Sequence, residues 1–208
     1  MKRFDIITES DARVLDYGST VVLAPGGKVT PLAADTLRSR RITVVRDAAD
    51  VDAVRLAPPT AVKVVAIGGD HSSLALKAAL VTHLRGRGLA AHDLGTHSAD
   101  AVDYPDTAAT VARQVARGEA DAGIVIDGAG LGSTIAANKV DGIRAAMCLN
   151  QTLARYARQH NGANVLALGS TLVTIDEART IVDTFIDTPM TEARYIRRLA
   201  KVAQLERE

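Results

Sequence analysis

Asp127 closes the apolar run Ala122-Gly123-Ile124-Val125-Ile126, and Gly128, Gly130 and Gly132 follow it at alternate positions. Glycines let a chain turn tightly and approach a ligand without Cβ atoms in the way. A loop of this kind opening into a helix exposes unpaired N–H groups that suit a phosphate or a developing oxyanion. A carboxylate beside such a cradle is the equipment for abstracting a proton next to a carbonyl. Glycine-rich turns after strands also serve packing alone.

Three other groups carry chemistry by type and position. Asp70-His71 follows the strand-like run Lys63 to Gly69. An imidazole there suits proton exchange with a sugar ring oxygen or pairing with phosphate. Asp70 equally suits a cap for the following turn. His160-Asn161 ends a helical pattern, where the negative dipole end favours an imidazolium, although a surface cap has the same sequence. Arg194, Arg197 and Arg198 lie on the last helical pattern; Arg194 and Arg198, one turn apart, face one anion together or form a solvated face. His83, His92 and His97 have no comparable context and read as structural or surface residues. Cys148, the only cysteine, lies in an apolar run and reads as a small buried hydrophobe; no intrachain disulfide is available.

These residues need a scaffold that gathers them. From Val62 onward strand and helix patterns alternate: strands at 63–69, 90–94, 122–126, 143–149 and 164–169, helices at 73–87, 104–117, 152–160, 175–186 and about 191–205. Alternation of this kind implies right-handed crossovers and a parallel sheet covered on both faces, an α/β class with ligands at the strands' C-terminal ends. That edge carries Asp70-His71, Thr96-His97, Asp127 and the loop after Leu168. Residues 1–60 are shorter in pattern: a helix start at Thr8 to Asp11, a strand Val21 to Gly27 running into a turn, a helix from Thr30-Pro31 to Ser39, a strand at 42–45, and linker character from Asp47 to Pro59. The expected organisation is therefore a small α/β extension over 1–60 and a main domain over 61–208.

Composition narrows the partners. At 208 residues with a net charge of +1, the chain has no broad pull toward nucleic acid or an anionic membrane, and 3% aromatic content with no Trp disfavours base-stacking platforms. No apolar stretch approaches the ~20 residues of a membrane span, and the start lacks a signal-peptide core. A single cysteine fits a reducing, cytoplasmic setting.

The pattern Gly68-Gly69-Asp70-His71, Gly95-Thr96, Asp103-Tyr104-Pro105, Gly118 to Asp121, the Asp127 loop, Ile135 to Lys139, Gly142 to Arg144, His160 to Leu166 and Arg194 to Arg198 resembles the ribose-5-phosphate isomerase B / galactose-6-phosphate isomerase family from about Val62 to Val202. The resemblance implies a Rossmann-like three-layer sandwich with a five-stranded parallel sheet. It also implies metal-free and cofactor-free aldose–ketose isomerisation of a sugar phosphate through an enediolate, in a homodimer or tetramer with shared active sites. Residue by residue it implies that Asp70 and His71 contact substrate, His160 assists ring opening with Asp70, Asn161 and Tyr104 hold the sugar, and Arg194 and Arg198 bind phosphate. It puts the backbone N–H groups of Gly128, Gly130 and Gly132 at the enediolate.

Four positions depart from the pattern. Asp127 stands where many members carry a catalytic cysteine base, Ala129 replaces a hydroxyl residue, Thr171 stands where an arginine helps bind phosphate, and Ser133 stands where one branch carries a glutamate base. Asp127 is then the expected base, its low intrinsic basicity raised by burial beside Leu131. Residues 6–13 and 29–42 resemble segments of enzymes associated with bacterial microcompartments. That likeness implies a docking or encapsulation element contacting shell or cargo inside such a compartment, with a purely structural brace as the alternative. A non-catalytic or weakly active isomerase-like subunit, pairing with another chain or carried as microcompartment cargo, is the alternative function.

Overall fold

The structure, a computed structural model, describes residues 2–46 and 56–207. The chain divides into two units, one of residues 1–60, 159–162 and 189–208, the other of residues 61–158 and 163–188. Most of the expected linker at 47–59 lies outside the described residues.

The first unit begins with β1 (Arg3–Ile7), α1 (Glu9–Val14), β2 (Thr20–Val29), α2 (Pro31–Ser39) and β3 (Thr43–Val45), its strands parallel in the order β1-β2-β3. Thr8 and Asp11 cap α1 reciprocally, the Asp11 carboxylate accepting from the Thr8 N–H at 2.9 Å. Thr30 caps α2, with Pro31 in its first turn. Ile7, Ala12, Leu15, Val21, Leu23, Ala33, Leu37 and Ile42 bury one another between the helices and the sheet.

The second unit holds β4 (Val64–Gly69), α3 (Leu74–Gly86), β5 (Ala90–Asp93), α4 (Tyr104–Ala116), β6 (Ala122–Asp127), α5 (Leu131–Ala137), β7 (Ala145–Met147), α6 (Gln151–Asn161), β8 (Val165–Gly169) and α7 (Ile175–Asp187). The last turn of α6 is grouped with the first unit. All five strands are parallel, in the order β5-β4-β6-β8-β7. β6 and β8 are buried along their whole length, which is why they read as unbroken apolar runs rather than alternating ones. Val65, Ile67, Ile124, Ile126, Leu166 and Leu168 pack with Leu80 and Leu84 of α3, Ala154 of α6, and Ile181 and Phe185 of α7. On the opposite face Ala66, Val125, Val165 and Ala167 meet Ala108, Val111, Ala112 and Val115 of α4. Two covered faces make the three-layer Rossmann-like sandwich that the resemblance implies.

The first unit is completed by α8 (Ala193–Gln204), which buries Tyr195, Ile196 and Leu199 together with Met190 and against Leu56 and Ala57. Glu192 also forms a parallel bridge to Val44 of β3. Residues 189–208 thus fold with the first sixty, not with 61–188 as the sequence division expects: an amphipathic helix announces a buried face but not what covers it.

Candidate active site

Parallel pairing sets the site. The register Gly69↔Ile126 and Asp127↔Gly169 lines up the C-terminal ends of β4, β6 and β8, so Asp70 and Asp127 are neighbours on adjacent strands. The Asp70 N–H donates to the Ile126 carbonyl at 3.1 Å. Asp70 is 8% exposed, and its Oδ1 accepts the Ser72 N–H at 2.9 Å and the Ser72 hydroxyl at 2.6 Å. This is the capping role open to it from sequence, on a short 3₁₀ turn over His71–Ser73. Its Oδ2 has no partner among the described residues. His71 is exposed, and its Nδ1 accepts the Val102 N–H at 3.4 Å, which leaves Nε2 as the proton-bearing nitrogen of the neutral ring.

Asp127 is 5% exposed and turned into its own loop. Its Oδ1 accepts the N–H groups of Ala129, at 2.8 Å, and of Gly130; its Oδ2 accepts that of Ser133 at 2.7 Å. Burial opposes its ionisation, but the bonds from Ser133, Gly130 and Ala129 outweigh burial and hold the carboxyl below its ordinary value. The expectation that burial beside Leu131 raises its basicity is therefore corrected, and Leu131 itself is 58% exposed.

Of the three glycines expected to present N–H groups, Gly130 spends its own on Asp127. The N–H of Gly128 and the first-turn N–H groups of Leu131 and Gly132 have no acceptor among the described residues. Gly130 has φ +77°, and a Cβ there would stand 2.9 Å from the Leu168 carbonyl carbon. A Cβ at Gly132 would stand 2.5 Å from the Tyr104 ring, so the absence of a side chain seats that ring against the start of α5. Thr171 donates its hydroxyl to the Gly128 carbonyl at 2.7 Å, and the Ser170 N–H donates to the Asp127 carbonyl at 2.8 Å. Ser72 and Ser170 hydroxyls meet at 3.2 Å. Ser72 and Ser170 were not singled out from sequence, whereas Ser133 was marked only as a departure from the family pattern. Ser72 and Ser170 each follow a strand end at the ligand edge, and that position is the signal that marks them.

The second unit thus gathers Asp70, His71, Tyr104, Asp127 and the glycines. His160, Asn161, Arg194 and Arg198 belong to the first unit. There the His160 ring stacks on Tyr195, centroids 4.4 Å apart, and the guanidinium groups of Arg194 and Arg198 lie 4.6 and 5.8 Å from the centre of the same ring. Arg194 also donates to the Tyr195 hydroxyl at 2.8 Å and pairs with Glu192. His83 pairs with Asp183 at 2.7 Å, a structural contact. Among the described residues no group of three or more His, Cys, Asp or Glu side chains is arranged to hold a metal ion, and no helix is long and apolar enough to cross a membrane.

A strand-end carboxylate pair, a glycine loop with free amides and a doubly wound sheet define the class of Rossmann-like proteins that bind small anionic substrates at the sheet edge. The model of the family described as Ribose/Galactose Isomerase matches residues 65–202, and the chain belongs to that family. Ribose-5-phosphate isomerase B of Escherichia coli K12 is 43% identical over 144 residues, 69% of this chain and 97% of the relative. Ribose-5-phosphate isomerase B of Mycobacterium leprae is 41% identical, covering 69% of this chain and 90% of the relative. Among solved structures, ribose-5-phosphate isomerase B of Clostridium thermocellum is 46% identical with a TM-score of 0.68, covering 69% and 97% of the two chains. That of Mycoplasma genitalium with bound ribulose-5-phosphate is 41% identical with a TM-score of 0.67, covering 70% and 97%.

Proposed function

We propose that the chain is an aldose–ketose isomerase of a sugar phosphate, ribose 5-phosphate/ribulose 5-phosphate or a related four- to six-carbon pair, working by proton transfer through an enediolate without metal or cofactor. The observation that carries this reading is the strand-end edge of the second unit, which brings Asp70, His71, Tyr104 and the Asp127 loop to one end of the sheet. His160 with Asp70 opens the ring by passing the anomeric hydroxyl proton to the ring oxygen. A carboxylate at the strand ends moves a proton between C1 and C2 while the loop N–H groups hold the enediolate. His71, Arg194 and Arg198 hold the phosphate, and Tyr104 and Asn161 hold the sugar.

The protein works as a homodimer or tetramer whose sites are shared, one protomer supplying the loop and its partner His160, Asn161 and the arginines. Leu131 and Ile135, one turn apart on α5 and 58% and 64% exposed, support such an apolar contact. Residues 1–60 serve as a docking element for a microcompartment shell or cargo; the exposed Ile6, Val14, Tyr17 and Leu32 support that reading.

The test incubates the purified chain with four- to six-carbon sugar phosphates in deuterated water and follows label entering C1 and C2. Exchange with any of them supports the isomerase. Silence throughout, with activity only on adding a related chain, supports a non-catalytic subunit instead.

A further inference from the structure

Resting on the isomerase reading above, we propose that Asp70 carries the proton between C1 and C2, and that Asp127 is a positioning residue that shapes the amide cradle.

The two carboxylates are strand neighbours but differ in what their oxygens do. Both oxygens of Asp127 are taken by backbone N–H groups of its own loop, those of Ala129, Gly130 and Ser133. Accepting a proton from carbon requires a lone pair directed at the substrate, and each of these bonds stabilises the carboxylate and so weakens it as a base. Turning Asp127 outward would leave the Gly130 and Ser133 N–H groups buried and unpaired, each at a cost of about 1–3 kcal/mol. Asp70 has one oxygen anchored by the Ser72 N–H and hydroxyl, which fixes the carboxylate plane, and a second oxygen with no protein partner among the described residues. An anchored oxygen beside a free one is the geometry of a general base.

Asp127 meanwhile performs a task a cysteine in its place could not perform in the same way. By drawing in three N–H groups it folds residues 128–133 so that those of Gly128, Leu131 and Gly132 have no acceptor among the described residues. The Thr171 hydroxyl holds the Gly128 carbonyl from the other side.

The step balances without any co-reactant. In the open-chain aldose phosphate the C2–H bond breaks and its proton passes to Asp70 Oδ2. The electron pair forms C1=C2 and O1 becomes anionic against the free loop N–H groups. The O2 hydrogen passes to O1, Asp70 returns its proton to C1, and C2=O forms.

The experiment compares Asp70→Asn and Asp127→Asn in the full-length chain. It measures turnover and deuterium exchange of whichever sugar phosphate the wild type converts, and calorimetric binding of the phosphorylated hydroxamate of a four-carbon sugar acid, a planar anion shaped like a five-carbon enediolate. Asp70→Asn keeps the capping oxygen, so it folds and binds the hydroxamate within about threefold of wild type. It loses exchange by about 10²- to 10⁴-fold, the ordinary worth of a general base. Asp127→Asn retains exchange within about tenfold of wild type when saturated, yet binds the hydroxamate at least tenfold more weakly relative to substrate. The reverse pattern, or loss of exchange in both variants with hydroxamate binding intact, overturns the assignment. A wild type silent on every sugar phosphate overturns the isomerase reading itself.

Discussion

The three glycines of the Asp127 loop should respond to alanine in three different ways. At Gly130 the backbone has φ +77°, a region that costs a side-chain-bearing residue about 1–2 kcal/mol. The added Cβ would also lie 2.9 Å from the Leu168 carbonyl carbon and 3.0 Å from the Gly169 nitrogen. Those are atoms of β8, hydrogen-bonded into the middle of the sheet and unable to swing aside, so overpacking adds about 1–3 kcal/mol. Gly130→Ala therefore loses about 2–5 kcal/mol, a large share of the roughly 5–15 kcal/mol that stabilises an ordinary domain. At Gly132 the obstacle is the Tyr104 ring, 2.5 Å away on a residue 40% exposed that can turn outward, and alanine in a first helical turn offsets part of the strain. Gly132→Ala stays within about 1 kcal/mol of wild type but displaces Tyr104. At Gly128 a Cβ meets only the Ser72 hydroxyl at 3.9 Å, so Gly128→Ala changes stability by less than about 0.5 kcal/mol. Urea denaturation followed by circular dichroism reads the stabilities. Quenching of the exposed Tyr104 phenol, or KM for the sugar phosphate, reads the ring. A Gly130→Ala protein as stable as wild type, or a Gly128→Ala protein less stable than Gly130→Ala, would refute the geometry on which the cradle rests.

Two further outcomes follow from the buried groups. Because the Asp127 carboxyl is held below its ordinary value in the folded chain, its ionised form stabilises the fold fully above the ordinary carboxylate range and loses that contribution as pH falls through the depressed value. The stability gap between wild type and Asp127→Asn should be full near neutrality, shrink below about pH 4, and vanish in stronger acid, read by denaturant midpoints across pH; a gap that widens in acid would contradict the three-amide geometry. Cys148 is 1% exposed and burial pushes its thiol up to about 12, so it carries almost no thiolate near neutrality. Iodoacetamide should label it only on unfolding, with a rate that rises across the urea transition; rapid labelling of the native chain would contradict its burial.

How far the sequence reaches depends on whether the deciding contact is local. β6 and β8 were legible because a strand buried on both faces must be apolar throughout. The expected strand at 143–149 narrows to β7, whose first residue Ala145 is held by Asn138, the amide donating to the Ala145 carbonyl at 2.9 Å and the oxygen accepting the Ala145 N–H at 2.7 Å. Pro25-Gly26-Gly27 reads as a turn, yet β2 runs through it, since β1 pairs on both sides: Phe4↔Leu23 and then Ile6↔Lys28 with a shift of register. Pairing overrides a local breaker by absorbing it as a bulge. The candidate residues were legible by type and by their place at strand ends. The orientation of Asp127 was not, because it depends on which N–H groups a six-residue loop turns inward.

That orientation bears on how a family fold can keep its reaction while exchanging the residue at its centre. C1 and C2 of the sugar are one bond apart, and proton transfer between them needs a single base on one face of a planar enediolate. Adjacent parallel strands lie about 4.8 Å apart, so side chains at the ends of β4 and β6 can reach one small substrate together. On the proposed assignment, a carboxylate at the β6 end that turns into its loop gives up the proton transfer, and the neighbouring strand end takes it over. Moving the base from one strand to the next therefore demands no change in sheet, loop length or phosphate position. It demands only that one carboxylate be saturated by N–H groups and the other keep an oxygen free, which is how Asp127 and Asp70 stand.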